Sequence, residues 1–357
     1  VKRLLIATSR DWTGVARLPS TLGPAGFEIS LLDRGDTRVG ASRWVSSRET
    51  VRGPVEKLVA RLLAVAADYD RVIACDEPLL MALVAAEDAR ADSFLPAPRE
   101  VLAAVLDKTR FPAAAAAAGI RVADSVAAYD ADDVARAFTG LGGPVFLKGR
   151  HGLAGTVVRR ADDAAAAVEA ADALGYPVLV ERATGGLSCL MPCLYERGKL
   201  VGAIAAARLR TVHAFGPSTA NAMRAVDSRL IRTARAAGVA FGLHGFVSID
   251  YFDLGDGSDP VVLEINPRPV PQLHLGRRVG VDMAAALADV MAGGFDGTAR
   301  LGTAGRDVVL FPQELQRLRA EHGARQGTLR WLRSAGALAD VPWNDLPLAW
   351  RHLRRED

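Results

Sequence analysis

Cysteine is scarce in this chain of 357 residues: only Cys75, Cys189 and Cys193 occur. They lack the paired spacing of a zinc site, and an odd number argues against a disulfide framework. Free thiols in a reducing compartment are the expectation. Charge of one sign is also missing. Lys and Arg total 44 against 41 Asp and Glu, a net +3 that is too small to argue for a nucleic-acid partner. The basic residues are scattered, apart from Arg351-His352-Leu353-Arg354-Arg355, which reads as a solvated helix end. Long hydrophobic runs are absent, because Asp, Glu or Gly breaks even the Ala-rich segments. The opening run 1–8 is too short for a signal peptide and reads as a strand. These absences predict a cytoplasmic soluble protein with neither membrane nor nucleic acid as partner. The glycine spacing of a dinucleotide fingerprint is missing from Ser9-Arg10-Asp11-Trp12-Thr13-Gly14, which argues against a nicotinamide cofactor. His151, His213, His244 and His274 show no metal-ligand spacing and read as structural residues or polar lining.

The length allows two or three compact units. Strands are predicted at 3–8, 27–32 and 71–75, separated by helical stretches. The clearest helix starts at Pro54 and keeps Leu58, Val59, Leu62 and Leu63 at helical spacing. This alternation predicts a parallel α/β layer for about the first hundred residues. Residues 93–98 mark a boundary. Beyond it come a helix 99–118 stopped by Gly119 and short strands at 120–122, 145–148, 156–159 and 177–180, with a helix over 162–174. Further strands are expected at 190–195 and 200–207 around a hairpin turn at 196–199. Helices follow at 225–237 and 281–292, then a helical tail from about 300.

One stretch carries most of the functional information. Residues 261–269 run from an apolar strand through Glu264-Ile265-Asn266 to Pro267-Arg268-Pro269. Strand alternation puts Glu264, Asn266 and Arg268 on one face, with Leu263 and Ile265 on the other. The two prolines end the ladder, so the triad sits at a strand exit, where sites are usually built. Carboxylate and amide oxygens are hard ligands suited to magnesium, and a guanidinium can hold a phosphate or carboxylate in a fork. A polar surface strand could carry the same residues, but the neighbourhood argues otherwise. Asp250 lies near the end of an alternating run 245–252, and the segment 253–260 is rich in hairpin-loop residues. A hairpin there brings Asp250 beside Glu264. Two carboxylates and an amide so packed repel unless a cation lies between them. Asp250, Glu264 and Asn266 are therefore the candidate metal ligands.

Two further segments suit anions. Lys148 ends an apolar run and leads into Gly149-Arg150-His151-Gly152-Leu153-Ala154-Gly155, where glycines let backbone amides approach phosphate oxygens. Arg208 and Arg210 precede a Gly-Pro-Ser-Thr loop; they could bind a phosphate or an acidic substrate, or simply be exposed strand arginines.

The ordered set of Lys108, Lys148, the glycine turn, Glu181, Asp250 and Glu264-x-Asn266-x-Arg268 resembles the ATP-grasp superfamily over about residues 100–293. The arginine after the asparagine resembles its carboxylase-like and carbamoyl-phosphate-synthase-like branches. The resemblance implies a mixed α/β and α+β fold. A Rossmann-like layer (1–98) would precede a small lobe with a glycine-rich cover (99–183), a large lobe with a magnesium site (184–299) and a helical C-terminal appendage (300–357). It implies ATP between the lobes and Mg2+, as two ions, on Asp250, Glu264 and Asn266. Lys108, Lys148, Gly152, Gly155 and Arg208 would serve the nucleotide phosphates and Glu181 its adenine or ribose side. Lys148 and Arg268 would act in catalysis. The chain departs from the family in two places. Gly186-Leu187-Ser188 stands where many relatives have a ribose-binding acid, and Ser248 where an arginine often precedes the first carboxylate. The implied activity is an ADP-forming carboxylate–amine ligase of biosynthesis. It would activate a small-molecule acid as an acylphosphate and join it to an amine, as a monomer or a homodimer. The alternatives are a carboxylase-like enzyme acting through carboxyphosphate and a non-catalytic ATP-binding protein. No biotin-accepting or glutamine amidotransferase segment supports the first, and the intact Asp–Glu–Asn set speaks against the second.

Overall fold

The computed structural model describes residues 1–152 and 155–354. Leu153 and Ala154 of the glycine turn, and Arg355 at the basic end, lie outside them. Strands β1 (Arg3–Thr8), β2 (Glu28–Asp33), β3 (Val45–Thr50) and β4 (Arg71–Ala74) form an all-parallel sheet of order β3-β2-β1-β4. Its inner strands are buried almost throughout, as a parallel sheet covered on both faces requires. The helix Val55–Val65 packs on it through Leu58, Val59, Leu62 and Leu63, as its spacing predicts. The sequence reading misses β3 because Ser46-Ser47-Arg48-Glu49-Thr50 is polar and exposed, the composition of a protected edge.

The single helix predicted over 99–118 is two, Arg99–Val105 and Phe111–Ala117. Asp107 makes the break. One of its oxygens accepts from the Thr109 amide and hydroxyl, and the other from Arg150 Nε at 2.8 Å. Such a local side-chain turn competes successfully with helix continuation. The predicted strand 120–122 shrinks to one bridge, Val122 to Val262. The strand forms instead at β5 (Ser125–Ala128). With β6 (Val145–Gly149), β7 (Val158–Ala161) and β8 (Val178–Arg182) it makes an antiparallel sheet of order β5-β8-β6-β7. The helices Ala131–Leu141 and Ala164–Leu174 pack on it. The first was not predicted, because its apolar stripe is only Val134, Ala137 and Leu141, although Asp130 caps it and Gly142 ends it.

The third sheet contains β9 (Leu187–Glu196), β10 (Lys199–Ala203), β11 (Ala205–Thr211), β12 (Ser218–Arg224), β13 (Gly245–Asp253), β14 (Val261–Asn266), β15 (Arg300–Leu301) and β16 (Val308–Val309). Its main path runs β14-β13-β9-β11-β12-β16, with β10 and β15 beside β9. The strand predicted over 200–207 is divided at Ile204, and β12 occupies part of what reads as a loop. The core spans layers: Leu5 and Leu58 of the first share one cluster with Met191, Ile249 and Ile265 of the third. All three cysteines are buried and free. Among the described residues, no helix is long and apolar enough to cross a membrane.

The tail helices Gln313–His322, Ala324–Arg333 and Leu346–Arg354 share a small core around Phe311, Leu315 and Trp331. They clasp the first layer. Arg17 Nη1 donates to Asp340 O at 2.7 Å, and Ser42 Oγ donates to Asp345. His352 is sealed in the same core, with both ring nitrogens unpartnered and its ring edge-on to Phe311. Burial, aided by Arg38 and Arg17, pulls its pKa from 6.5 down to about 3. The native ring is therefore neutral. Its contribution to stability is intact above pH 6.5 and is lost as the pH falls toward 3. His352→Phe keeps the ring packing and removes the titration. Thermal unfolding between pH 7 and 4 is expected to decline less steeply in this variant than in the wild type. Equal slopes would assign the acid sensitivity to other groups, such as His244, which burial beside Arg71 and Arg197 brings to about 4.

Candidate active site

Strands β13 and β14 pair antiparallel, with Asp250 opposite Glu264 and Ser248 opposite Asn266. The register slips between Asp250 and Tyr251, which leaves Leu263 without a partner. A bulge of this kind re-aims side chains. Leu263 and Ile265, which strict alternation turns away from Glu264, are both among the residues that line the same cleft.

The cleft is a cavity of about 730 Å³ walled by the second and third sheets and by the segments that follow β1 and β4 of the first. Lys108, Lys148, Gly152, Gly155, Glu181, Arg208, Asp250, Glu264, Asn266 and Arg268 all line it. Residues up to 160 positions apart in sequence thus meet in one volume, and each of the four cations in this set faces an anion. Lys108 Nζ lies 2.9 Å from Glu264 Oε2, Lys148 Nζ 2.7 Å from Glu181 Oε1, and Arg208 Nη2 2.5 Å from Asp250 Oδ2. Arg268 Nη2 donates to Glu77 Oε1 and to Asn266 Oδ1, both at 3.0 Å, and its guanidinium lies 4.6 Å from the centre of the Trp12 ring. Asn266 Nδ2 in turn donates to Glu264 Oε1 at 3.1 Å.

Local structure sets each position. Lys108 projects from the break at Asp107, its backbone N–H bonded to Arg150 O. Lys148 and Glu181 sit on neighbouring strands β6 and β8, where Phe146 pairs with Glu181 and Lys148 with Leu179. Arg208 is held by Ser188 Oγ at 2.9 Å and Cys189 O at 3.2 Å as well as by Asp250. Ser188, part of the departure at 186–188, thus anchors an arginine. Gly155 has φ +71°, and a Cβ there would lie 2.1 Å from Phe215 O, so only glycine fits this approach to the 212–217 turn.

The two carboxylates differ electrostatically. Burial works against the charge of Glu264, but the Lys108 ammonium and its hydrogen bond, with help from Asn266, outweigh it and hold Glu264 well below the usual range. Burial pushes Asp250 up. Arg208 offsets part of that shift and the charge of Glu264 adds to it. Burial would also lower Lys108, yet Glu264 and Glu77 raise it, so it stays an ammonium. The donor set of two carboxylates and one amide oxygen fits magnesium, which takes few protein oxygens when phosphates complete its shell. Among the described residues, no group of three or more His, Cys, Asp or Glu is arranged so that it could hold a metal ion by itself.

Sequence reasoning did not find Trp12, Gln272 or Gln313, which also line the cavity. Trp12 follows the carboxyl end of β1, a location favoured for ligand sites in parallel sheets, and that signal was available. Gln313 carried none.

No family model and no curated protein matches the sequence. Solved structures do match in three dimensions. An N5-carboxyaminoimidazole ribonucleotide synthetase in its ADP complex is 15% identical, over 91% of this chain and 85% of that one, with a TM-score of 0.68. The L-amino acid ligase from Bacillus licheniformis is 16% identical over 84% and 77%, with a TM-score of 0.64. The biotin carboxylase domain of a Hydrogenobacter thermophilus 2-oxoglutarate carboxylase, in complex with MgADP, ADP and bicarbonate, is 16% identical over 84% and 71%, with a TM-score of 0.62. At these identities the likeness is one of fold, and what it shows is that this chain adopts the ATP-grasp fold behind an N-terminal Rossmann-like layer.

Proposed function

We propose that the protein is an ATP-dependent, ADP-forming carboxylate–amine ligase. The observation that carries this reading is the convergence of Lys108, Lys148, Arg208 and Arg268 with Asp250, Glu264 and Asn266 in one cleft. Four cations serve a polyphosphate and an acid, and three oxygen ligands serve a divalent cation. In this reading residues 1–98 shape the acceptor side, 99–183 and 184–299 enclose the nucleotide, and 300–357 is the appendage. Asp250, Glu264 and Asn266 would hold magnesium, which would supply positive charge against the phosphates.

The side chains do the rest. Lys108 and Arg208 leave their carboxylate partners for phosphate oxygens, which frees Glu264 and Asp250 as ligands. Lys148 holds phosphate from the small sheet, and Glu181 beside it faces the nucleoside. Arg268, fixed between Glu77, Asn266 and Trp12, orients the acceptor carboxylate or the transferring group. The substrate carboxylate oxygen attacks the γ-phosphorus and the bond to the β-phosphate oxygen breaks, giving ADP and an acylphosphate. The amine then attacks the acyl carbon, phosphate leaves and the amine loses a proton. The chain's contribution is alignment and charge neutralisation.

Measuring ADP release over small carboxylic acids and amines, with product masses, tests this. An amide product with stoichiometric ADP is expected. ADP release that needs only bicarbonate would establish the carboxyphosphate route instead. MgATP binding without turnover for any pair would leave a nucleotide-binding protein.

A further inference from the structure

The tail reaches the cleft through the first turn of the helix Gln313–His322. Glu314, 2% exposed, lies 3.4 Å from Arg210 of β11 and 2.8 Å from Arg317, and so pins that turn to the large sheet. Beside it Gln313 lines the cavity, is only 5% exposed, and has an Oε1 that makes no hydrogen bond. A buried, unpaired amide oxygen is costly, because it has given up water without gaining a donor. Leucine or methionine would fill the same space without that cost. Rotation about the terminal bond of a glutamine is soft, so the oxygen can turn toward a ligand.

The chain 268–272 links this corner to Arg268, and Gln272 Nε2 reaches Asn221 Oδ1 on β12 at 3.4 Å. Arg268, which lines the same cavity, keeps a buried Nε without a partner. Arg10 also lines the cavity, is exposed, and makes no ion pair among the described residues. Among the described residues that line the cavity, the unused hydrogen-bonding capacity thus includes one acceptor, Gln313 Oε1, and donors on Arg268, Arg10 and Trp12 Nε1.

We propose that Gln313 is a specificity-determining residue that accepts a hydrogen bond from an N–H group of a small substrate whose anionic group faces Arg268 and Arg10. The inference rests on the ligase reading and deepens it. It gives the C-terminal segment a part in substrate choice, and the substrate class is a compact molecule carrying both an N–H donor and an anionic oxygen.

The test uses Gln313→Leu and Gln313→Met in the full chain. A glutamine with a merely structural role would lose stability on substitution. Removing an unpaired oxygen should instead leave the melting temperature of the ligand-free protein unchanged or raised. Small α- and β-amino acids, each beside its N-trimethyl form, are titrated calorimetrically into protein saturated with MgADP. The N-trimethyl forms keep both charges and lose every N–H. At least one amino acid is expected to bind the wild type about tenfold or more tightly than its N-trimethyl form, and both variants should reduce that ratio to about two or less. A preference that persists in the variants, no preference in the wild type, or no binding by any amino acid would overturn the proposal. The MgADP titration that precedes these measurements judges the ligase reading separately. If MgADP fails to bind, that reading falls, and the same amino-acid pairs titrated into the protein alone still decide the role of Gln313.

Discussion

Glu264→Gln and Asn266→Ala are each expected to lower ADP formation by about 10³-fold or more, on the order of 4 kcal/mol in the activation barrier. Each change weakens or removes one oxygen from a set of three. The ion that set would hold acts on phosphate charge, which is greatest in the transition state. Both variants should also need more magnesium for half-maximal rate. The fold should survive. A glutamine at 264 keeps one oxygen for Lys108, which leaves the buried ammonium partnered, and gives up the acceptor that faces Asn266 Nδ2. Alanine at 266 removes contacts to Glu264 and Arg268, and each of these keeps its other partner, Lys108 and Glu77 respectively. Circular dichroism and melting curves close to wild type, together with the rate loss, are the expected pair of results. Wild-type turnover in either variant would remove these residues from the reaction.

Lys148→Ala and Arg268→Ala are expected to separate nucleotide binding from turnover. Lys148 belongs to β6 in the small sheet, two residues from Phe146, whose ring packs edge-on to Phe215. Arg268 follows Glu264 and Asn266, the proposed metal ligands, and is tied to Glu77 and Trp12 of the first layer. Losing a charge-assisted contact to phosphate in Lys148→Ala should weaken ATP binding about 10- to 100-fold and lower turnover with it. Arg268→Ala should leave ATP affinity within about threefold and lower kcat about 10²- to 10³-fold, because its contact matures during transfer. One complication is structural. Lys148→Ala strands Glu181, a carboxylate only 4% exposed, and breaking a buried pair from one side destabilises. The double variant Lys148→Ala/Glu181→Gln removes that stranded charge. If its stability recovers while ATP binding stays weak, the loss belongs to the phosphate contact. ATP binding lost in Arg268→Ala and kept in Lys148→Ala would reverse the placement of nucleotide and acceptor in the cleft.

The sequence by itself determined the elements with strong local signals. Val145-Phe146-Leu147-Lys148 could only be a half-buried strand, and the turn residues of 253–260 between two alternating runs could only close a hairpin. The facing of Asp250 and Glu264 follows from that hairpin, which is why the strand-borne residues of the candidate site were legible. Elements with weak local signals were not. The edge strand β3 is too polar to read as a strand, and the helix Ala131–Leu141 buries only three residues of its stripe. The break of 99–118 at Asp107 depends on a side-chain turn that also needs Arg150, 43 residues away. Tertiary structure alone decided the pairing of charges. Nothing in sequence spacing joins Lys108 to Glu264 across 156 positions, or Arg268 to Glu77 across 191. It also decided that a residue of the tail enters the cleft. Periodicity records which face of an element is buried, but the identity of the group it meets is set by how the layers pack. For Gln313 that packing turns an ordinary polar residue at a helix start into a buried oxygen with no partner.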